Sequence, residues 1–101
     1  MGKVDDIEAA FIKVKAAAEK VAAGEERYKD QSFEDIFALN NEIGRLARQR
    51  PETMPKMKEL QAYVNMITVG IKYGKADSLS EGLSLTEEHI KSLSKDLQST
   101  P

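Results

Sequence analysis

The chain has 101 residues, of which 41% are hydrophobic and 32% charged, and its net charge at pH 7 is −2. This length predicts a single domain, and this composition argues against a disordered chain. Because cysteine is absent, disulfides, thiol catalysis and zinc sites with cysteine ligands are excluded.

The first predicted helix spans residues 4–23 and carries one narrow apolar stripe. Its members recur every three or four residues: Val4, Ile7, Phe11, Val14, Ala18 and Val21. Asp5 and Asp6 suit the positive end of the helix dipole, and Gly24 is a natural helix end. Several further alanines raise the helix propensity and would let a neighbouring helix approach closely.

The second predicted helix spans residues 33–50. Ser32 is the expected N-cap residue, with Asp35 three positions later in a near capping box. The inward stripe is expected to contain Phe33, Ile36, Leu39, Ile43 and Leu46, joined by Phe37 and Ala47. Pro51 ends this helix, since a proline disfavours helical geometry in the residue before it.

The third predicted helix spans residues 54–73, with Thr53 as its cap and Gly74 as its end. One stripe contains Met57, Leu60, Val64, Ile67 and Ile71, and a second face contains Tyr63, Met66, Val69 and Tyr73. Apolar residues on two faces indicate burial on both sides, so we expect this helix to be central. Gly70 either lowers helix propensity or lets another backbone approach closely.

A mobile connection is predicted over residues 75–83, which are rich in serine and other small or polar residues. Ser84 and Glu87 then form a capping box for a fourth helix over 85–97. Its inward residues are expected to be Leu85, Ile90, Leu93 and Leu97. The sequence therefore predicts an all-α bundle of three to four helices, forming one domain over residues 1–101 with frayed ends.

The sequence contains few residues that could carry catalytic chemistry. His89 is the only histidine, which excludes a two-histidine metal site, and we interpret it as a surface or half-buried residue rather than a phosphoacceptor or proton switch. Phosphate loops and nucleophile elbows are absent from the sequence. We therefore expect neither an enzyme nor a cofactor.

Targeting signals are not evident either. No apolar run approaches the roughly 20 residues that a membrane-spanning helix needs, and the first residues turn acidic at once, unlike a secretory signal. The chain is expected to be soluble and cytoplasmic.

Residues 45–58 contain five basic side chains against one acidic residue, whereas the remainder of the chain is net acidic. The basic residues are Arg45, Arg48, Arg50, Lys56 and Lys58, hereafter the basic end. A helix C-terminus favours cations, which accounts for the three arginines but not for the two lysines. The basic end is a candidate site for an acidic or phosphate-bearing partner. Nucleic acid is an unlikely partner, because no aromatic residues accompany these cations.

A candidate apolar interaction face consists of Tyr63, Met66 and Tyr73, with core packing as the alternative interpretation. The regular spacing of apolar residues in three helices favours a protein-interaction or assembly module, such as an adaptor, a chaperone-like protein or a complex subunit. Such a module would bind a protein partner or self-associate through helix faces.

Two alternatives remain. One is a bundle that binds an anion or acidic ligand at the basic end. The other is a filament or secretion-apparatus subunit, because the hairpin around Pro51 and Pro55 resembles that of type III secretion needle subunits. This resemblance covers less than half of the chain. Needle hairpins use a tighter turn and end soon after their second helix, so the family is not assigned.

Overall fold

The computed structural model describes residues 3–98, which form four α-helices and two one-turn 3-10 helices. The α-helices are α1 (Lys3–Ala22), α2 (Lys29–Gln49), α3 (Met54–Tyr73) and α4 (Ala76–Gln98), and the 3-10 helices are Glu26–Tyr28 and Pro51–Thr53. The predicted small all-α bundle is confirmed. Within residues 3–98, no helix combines the length and apolarity that crossing a membrane requires.

The four helices surround one hydrophobic core. The most extensive packing joins α1 to α2 and α3 to α4, while α2–α3 and α1–α4 contacts close the ring. In addition, α3 touches α1, so it contacts each of the other three helices. The predicted inward stripes supply most of the core: Val4, Ile7, Phe11, Val14, Ala18, Ile36, Leu39, Ile43, Leu46, Ala47, Met57, Leu60, Val64, Ile67, Ile71, Leu79, Ile90 and Leu93.

Two glycines end helices as predicted. Gly24 follows α1 with φ +98°, and Gly74 follows α3 with φ +66°. Both values lie in the left-handed region, which glycine enters without the steric penalty of a Cβ atom. The backbone N–H of Gly74 donates to the carbonyl of Gly70, which satisfies one of the last carbonyls of α3.

The start of α2 differs from the prediction. The helix begins at Lys29, so Ser32 lies within its first turn instead of capping it. The buried Ser32 hydroxyl donates to the carbonyl oxygen of Lys29 at 2.7 Å. Thr53 does precede α3 as predicted, but its hydroxyl donates backwards to the carbonyl of Arg50 at 2.7 Å. Both hydroxyls thus bond to a carbonyl rather than to a free helix N–H.

The start of α4 is the largest difference. Residues 76–83, predicted as a connection, form the first turns of α4. Tertiary packing overrides their weak helix propensity: Leu79 is 4% exposed, and the Ser78 hydroxyl donates to the carbonyl of Met66 at 3.0 Å. The predicted capping residue Ser84 consequently lies inside the helix. The predicted inward position of Leu97 lies outside the side chains that the structure describes.

Thr86 is a buried polar residue in the middle of α4. Its side chain is fully buried, and its hydroxyl has no hydrogen-bond partner among the described residues. A buried hydroxyl without a partner costs free energy that an apolar group of the same shape would not. Thr86→Val is therefore expected to raise the free energy of unfolding by about 1 kcal/mol, measured by urea denaturation.

Thr53 supplies the matched control for that substitution. It is also buried, but its hydroxyl makes the hydrogen bond to Arg50. Thr53→Val should lower the free energy of unfolding by about 1 kcal/mol. If Thr86→Val lowered stability as Thr53→Val does, the Thr86 hydroxyl would have to make a stabilising hydrogen bond.

Candidate protein-interaction surface

The basic end is built by the last turns of α2, the 3-10 turn after it and the first turns of α3. Arg45 Nη1 lies 3.6 Å from Glu42 Oε1, and Arg50 Nε donates to Glu52 Oε2 at 2.8 Å. A hydrogen bond from the Glu52 backbone N–H, followed by that from Arg50, lowers the pKa of the Glu52 carboxyl. Two of the five cations are therefore already paired with carboxylates.

Of the two lysines of the basic end, one is paired with a carboxylate and the other is not. Lys56 forms an ion pair with Asp96 of α4. Lys58 and Arg48 are exposed, and neither has an ion pair among the described residues. The five cations do not form one open cluster, which weakens the case for anion binding at this end.

The predicted apolar face on α3 is largely covered by α4. The ring of Tyr63 packs edge-on against His89 with centroids 5.6 Å apart, and Met66 lies beside Gly82. Both Tyr63 and Met66 are half-buried. Tyr73 alone of the three predicted residues is exposed, at 62%. The three residues therefore do not form a continuous open surface in the bundle.

His89 links α4 to α3. Its Nε2 atom lies 3.0 Å from the carbonyl oxygen of Lys56, and its Nδ1 atom lies 3.3 Å from Glu59 Oε1. The side chain is only 13% exposed. Because a carbonyl oxygen only accepts, Nε2 must carry a proton in this contact. These contacts give His89 a structural role, in agreement with its interpretation as a half-buried residue.

The prediction that Phe37 joins the inward stripe of α2 is wrong. Phe37 is 68% exposed, whereas its neighbours Ile36 and Leu39 are 5% and 0% exposed. One residue advances a helix by about 100°, so the side chain after Ile36 leaves the inward face. Among the described residues, Phe37 is the most exposed large apolar side chain, and Ile12 follows at 66%.

Phe37 lies within a regular row of exposed side chains on the outer side of α2. We define the α2 surface as this row, whose members are all exposed: Asp30, Glu34, Phe37, Asn41, Arg45 and Arg48. They recur every three or four residues, fall within about 80° of the helix circumference and extend about 27 Å along its axis. The row is acidic at the N-terminal end, aromatic and amide in the middle, and basic at the C-terminal end.

Most charges of the α2 surface have no partner within the bundle. Asp30, Glu34 and Arg48 form no ion pair among the described residues, and Arg45 makes only the 3.6 Å contact with Glu42. The sequence predicts Arg45 and Arg48 as site residues, but it does not single out the acidic half of the row or the exposed position of Phe37. The missed signal is the second row at helical spacing, which lies roughly opposite the inward stripe on the helix.

The seam between α1 and α4 also contains charged residues, but these are paired with one another. Lys15 Nζ donates to Glu87 Oε1 at 2.8 Å, and Lys91 Nζ lies 3.3 Å from the other oxygen of Glu87. The hydrogen bond from Lys15, then that from Lys91, lowers the pKa of Glu87, and the Glu87 carboxylate raises the pKa of Lys15. These ion pairs connect α4 to α1, and the charges of Lys15, Glu87 and Lys91 are therefore paired within the bundle.

Within residues 3–98, no three metal-binding side chains are grouped so that they would hold an ion. The exposure of Phe37 and of the charges beside it makes the α2 surface the strongest candidate functional site. Comparison with protein-family models, with curated proteins and with solved structures found no match for the chain.

Proposed function

We propose that the protein is an interaction or assembly module, not an enzyme, and that it binds a helix of a protein partner through the α2 surface. The observation that carries this proposal is the 68% exposure of Phe37 at the middle of a row whose outer charges are mostly unpaired. Burying an exposed phenyl side chain yields about 1.5–3 kcal/mol. The bundle itself gains little of this stabilisation, whereas a partner that covers Phe37 would gain it.

The chemistry of the row suits helix recognition. Aromatic side chains, phenylalanine included, and arginine are enriched at protein interfaces relative to the rest of the surface. Side chains at intervals of three and four residues lie on one helix face, along which a partner helix can pack, with Phe37 as the apolar contact. Charges at the two ends add orientation and specificity, because the partner must present basic residues opposite the acidic end of the row and acidic residues opposite its basic end.

The test is site-specific photocrosslinking in the cells that produce the protein. A photoreactive amino acid replaces Asn41, which leaves Phe37 and all charges of the α2 surface intact. The matched control carries the same group at Ala16, an exposed position on α1. We expect discrete protein adducts from position 41 that disappear with Phe37→Asp, and none from position 16.

Mass spectrometry of the adducts identifies the partner as this chain or another protein. If position 41 gave no discrete adduct, or adducts that persisted with Phe37→Asp, the proposed use of the α2 surface would be refuted.

A further inference from the structure

We propose that the partner of the α2 surface is a second copy of this chain, with the two α2 helices antiparallel about a two-fold axis. This inference rests on the proposed function and names its partner. The resulting contact is isologous, since each copy presents the same surface to the other. The acidic partner expected for the basic end is then the acidic half of the α2 surface in the other copy.

The charge order along α2 carries the inference. The midpoint of Asp30 and Arg48 along the sequence is residue 39, and the midpoint of Glu34 and Arg45 lies within one residue of it. An antiparallel pair with its two-fold axis at this level places each acidic residue opposite an arginine of the other copy. Symmetry generates each pair twice, so four ion pairs arise from four residues per copy.

The centre of the row fits the same axis. Phe37 and Asn41 also have their midpoint at residue 39, so each Phe37 faces Asn41 of the other copy. Each Phe37 lies only about two residues, or about 3 Å, from the level of the axis, and the two rings lie on opposite sides of it, so they are about 6 Å apart along the pair and within mutual reach. Gly44, on the same side of α2, carries no side chain that would hold the helices apart.

Other arrangements lack this complementarity. A parallel pair in register would set Asp30 against Asp30 and Arg48 against Arg48, which is repulsive. On the outer side of α1, an antiparallel pair about Ile12 would bring Lys13 close to its own copy. The antiparallel α2 pair is therefore the arrangement that the charges favour.

The first experiment measures the oligomeric state of the purified protein by sedimentation equilibrium. One helix pair buries less than a standard interface, so we expect a weak dimer that forms between about 10 µM and about 1 mM. Phe37→Asp should abolish the dimer over this range. Ile12→Asp is the matched control because Ile12 is equally exposed, and it should leave the dimer unchanged.

The second experiment tests the antiparallel register by exchanging charges. Glu34→Arg alone and Arg45→Glu alone should each raise the dissociation constant at least about tenfold, since each places like charges opposite one another. A mixture of the two variants should form a heterodimer, because one copy then carries only arginine and the other only glutamate at these positions. Circular dichroism of each variant shows that the bundle is still folded.

Three results would overturn the inference. The first is that the native chain stays monomeric at about 1 mM. The second is that the dimer survives Phe37→Asp or is lost with Ile12→Asp. The third is that the two charge variants fail to pair when they are mixed. A monomeric native chain that still gives adducts with another protein from position 41 would refute only the self-pairing. The absence of adducts from position 41 would refute the proposed function itself.

Discussion

Replacing Gly70 with alanine is expected to lower the free energy of unfolding by about 2 kcal/mol, because α3 and α4 meet at this residue without room for a side chain. A Cβ atom at Gly70 would lie 2.6 Å from the backbone nitrogen of Leu79 and 2.7 Å from its Cα atom. These are backbone atoms, so no rotamer change relieves the contact. The first turn of α4 would have to move away from α3.

Gly44 provides the matched control in a different helix. A Cβ atom there would meet only the flexible end of Arg48, at 3.4 Å. At low protein concentration, where the chain is a monomer, Gly44→Ala should therefore show only the better helix propensity of alanine, raising the free energy of unfolding by about 0.5–1 kcal/mol. In thermal unfolding, the melting temperature of Gly44→Ala should lie above that of the native protein, and that of Gly70→Ala should lie about 10 °C below it. Equal stabilisation by both substitutions would contradict the close α3–α4 contact.

The inward stripes show why most of the fold was predictable. Apolar residues spaced every three or four positions, as in Val14 and Ala18 or Val64 and Ile67, have to be buried together, and they are. The start of α4 was not predictable from local signals. Serines and Gly82 disfavour a helix locally, yet a Cβ atom at Gly82 would lie 2.9 Å from the Ile67 nitrogen, so the small residue serves the packing of α4 on α3.

The candidate surface was half predictable for a related reason. Arg45 and Arg48 stand out in the sequence because the rest of the chain is net acidic. Asp30 and Glu34 were not distinguished from the acidic residues that commonly occupy helix starts. Apolar character alone places Phe37 in the core, but it does not say on which side of a helix a residue lies, whereas the angle from Ile36 does.

Leu39→Ala should destabilise the bundle by about 3 kcal/mol, whereas Phe37→Ala, two residues away, should change the free energy of unfolding by less than about 0.5 kcal/mol. Leu39 is 0% exposed, so its truncation leaves a cavity in the core, while the larger Phe37 side chain is 68% exposed. Urea denaturation at low protein concentration measures both variants as monomers. A large loss with Phe37→Ala under these conditions would show that the ring stabilises the monomer and would remove the centre of the α2 surface.

Protein concentration then separates folding from association. A dimer that forms only from folded chains stabilises them by mass action, so the midpoint of native unfolding should rise with concentration. Phe37→Ala should abolish this rise while keeping the native midpoint at low concentration, and Leu39→Ala should lower the midpoint at every concentration. This pattern would assign Leu39 to holding the bundle together and Phe37 to joining two bundles. If the midpoint of native unfolding did not depend on concentration, Phe37 would not pair with a second copy of the chain.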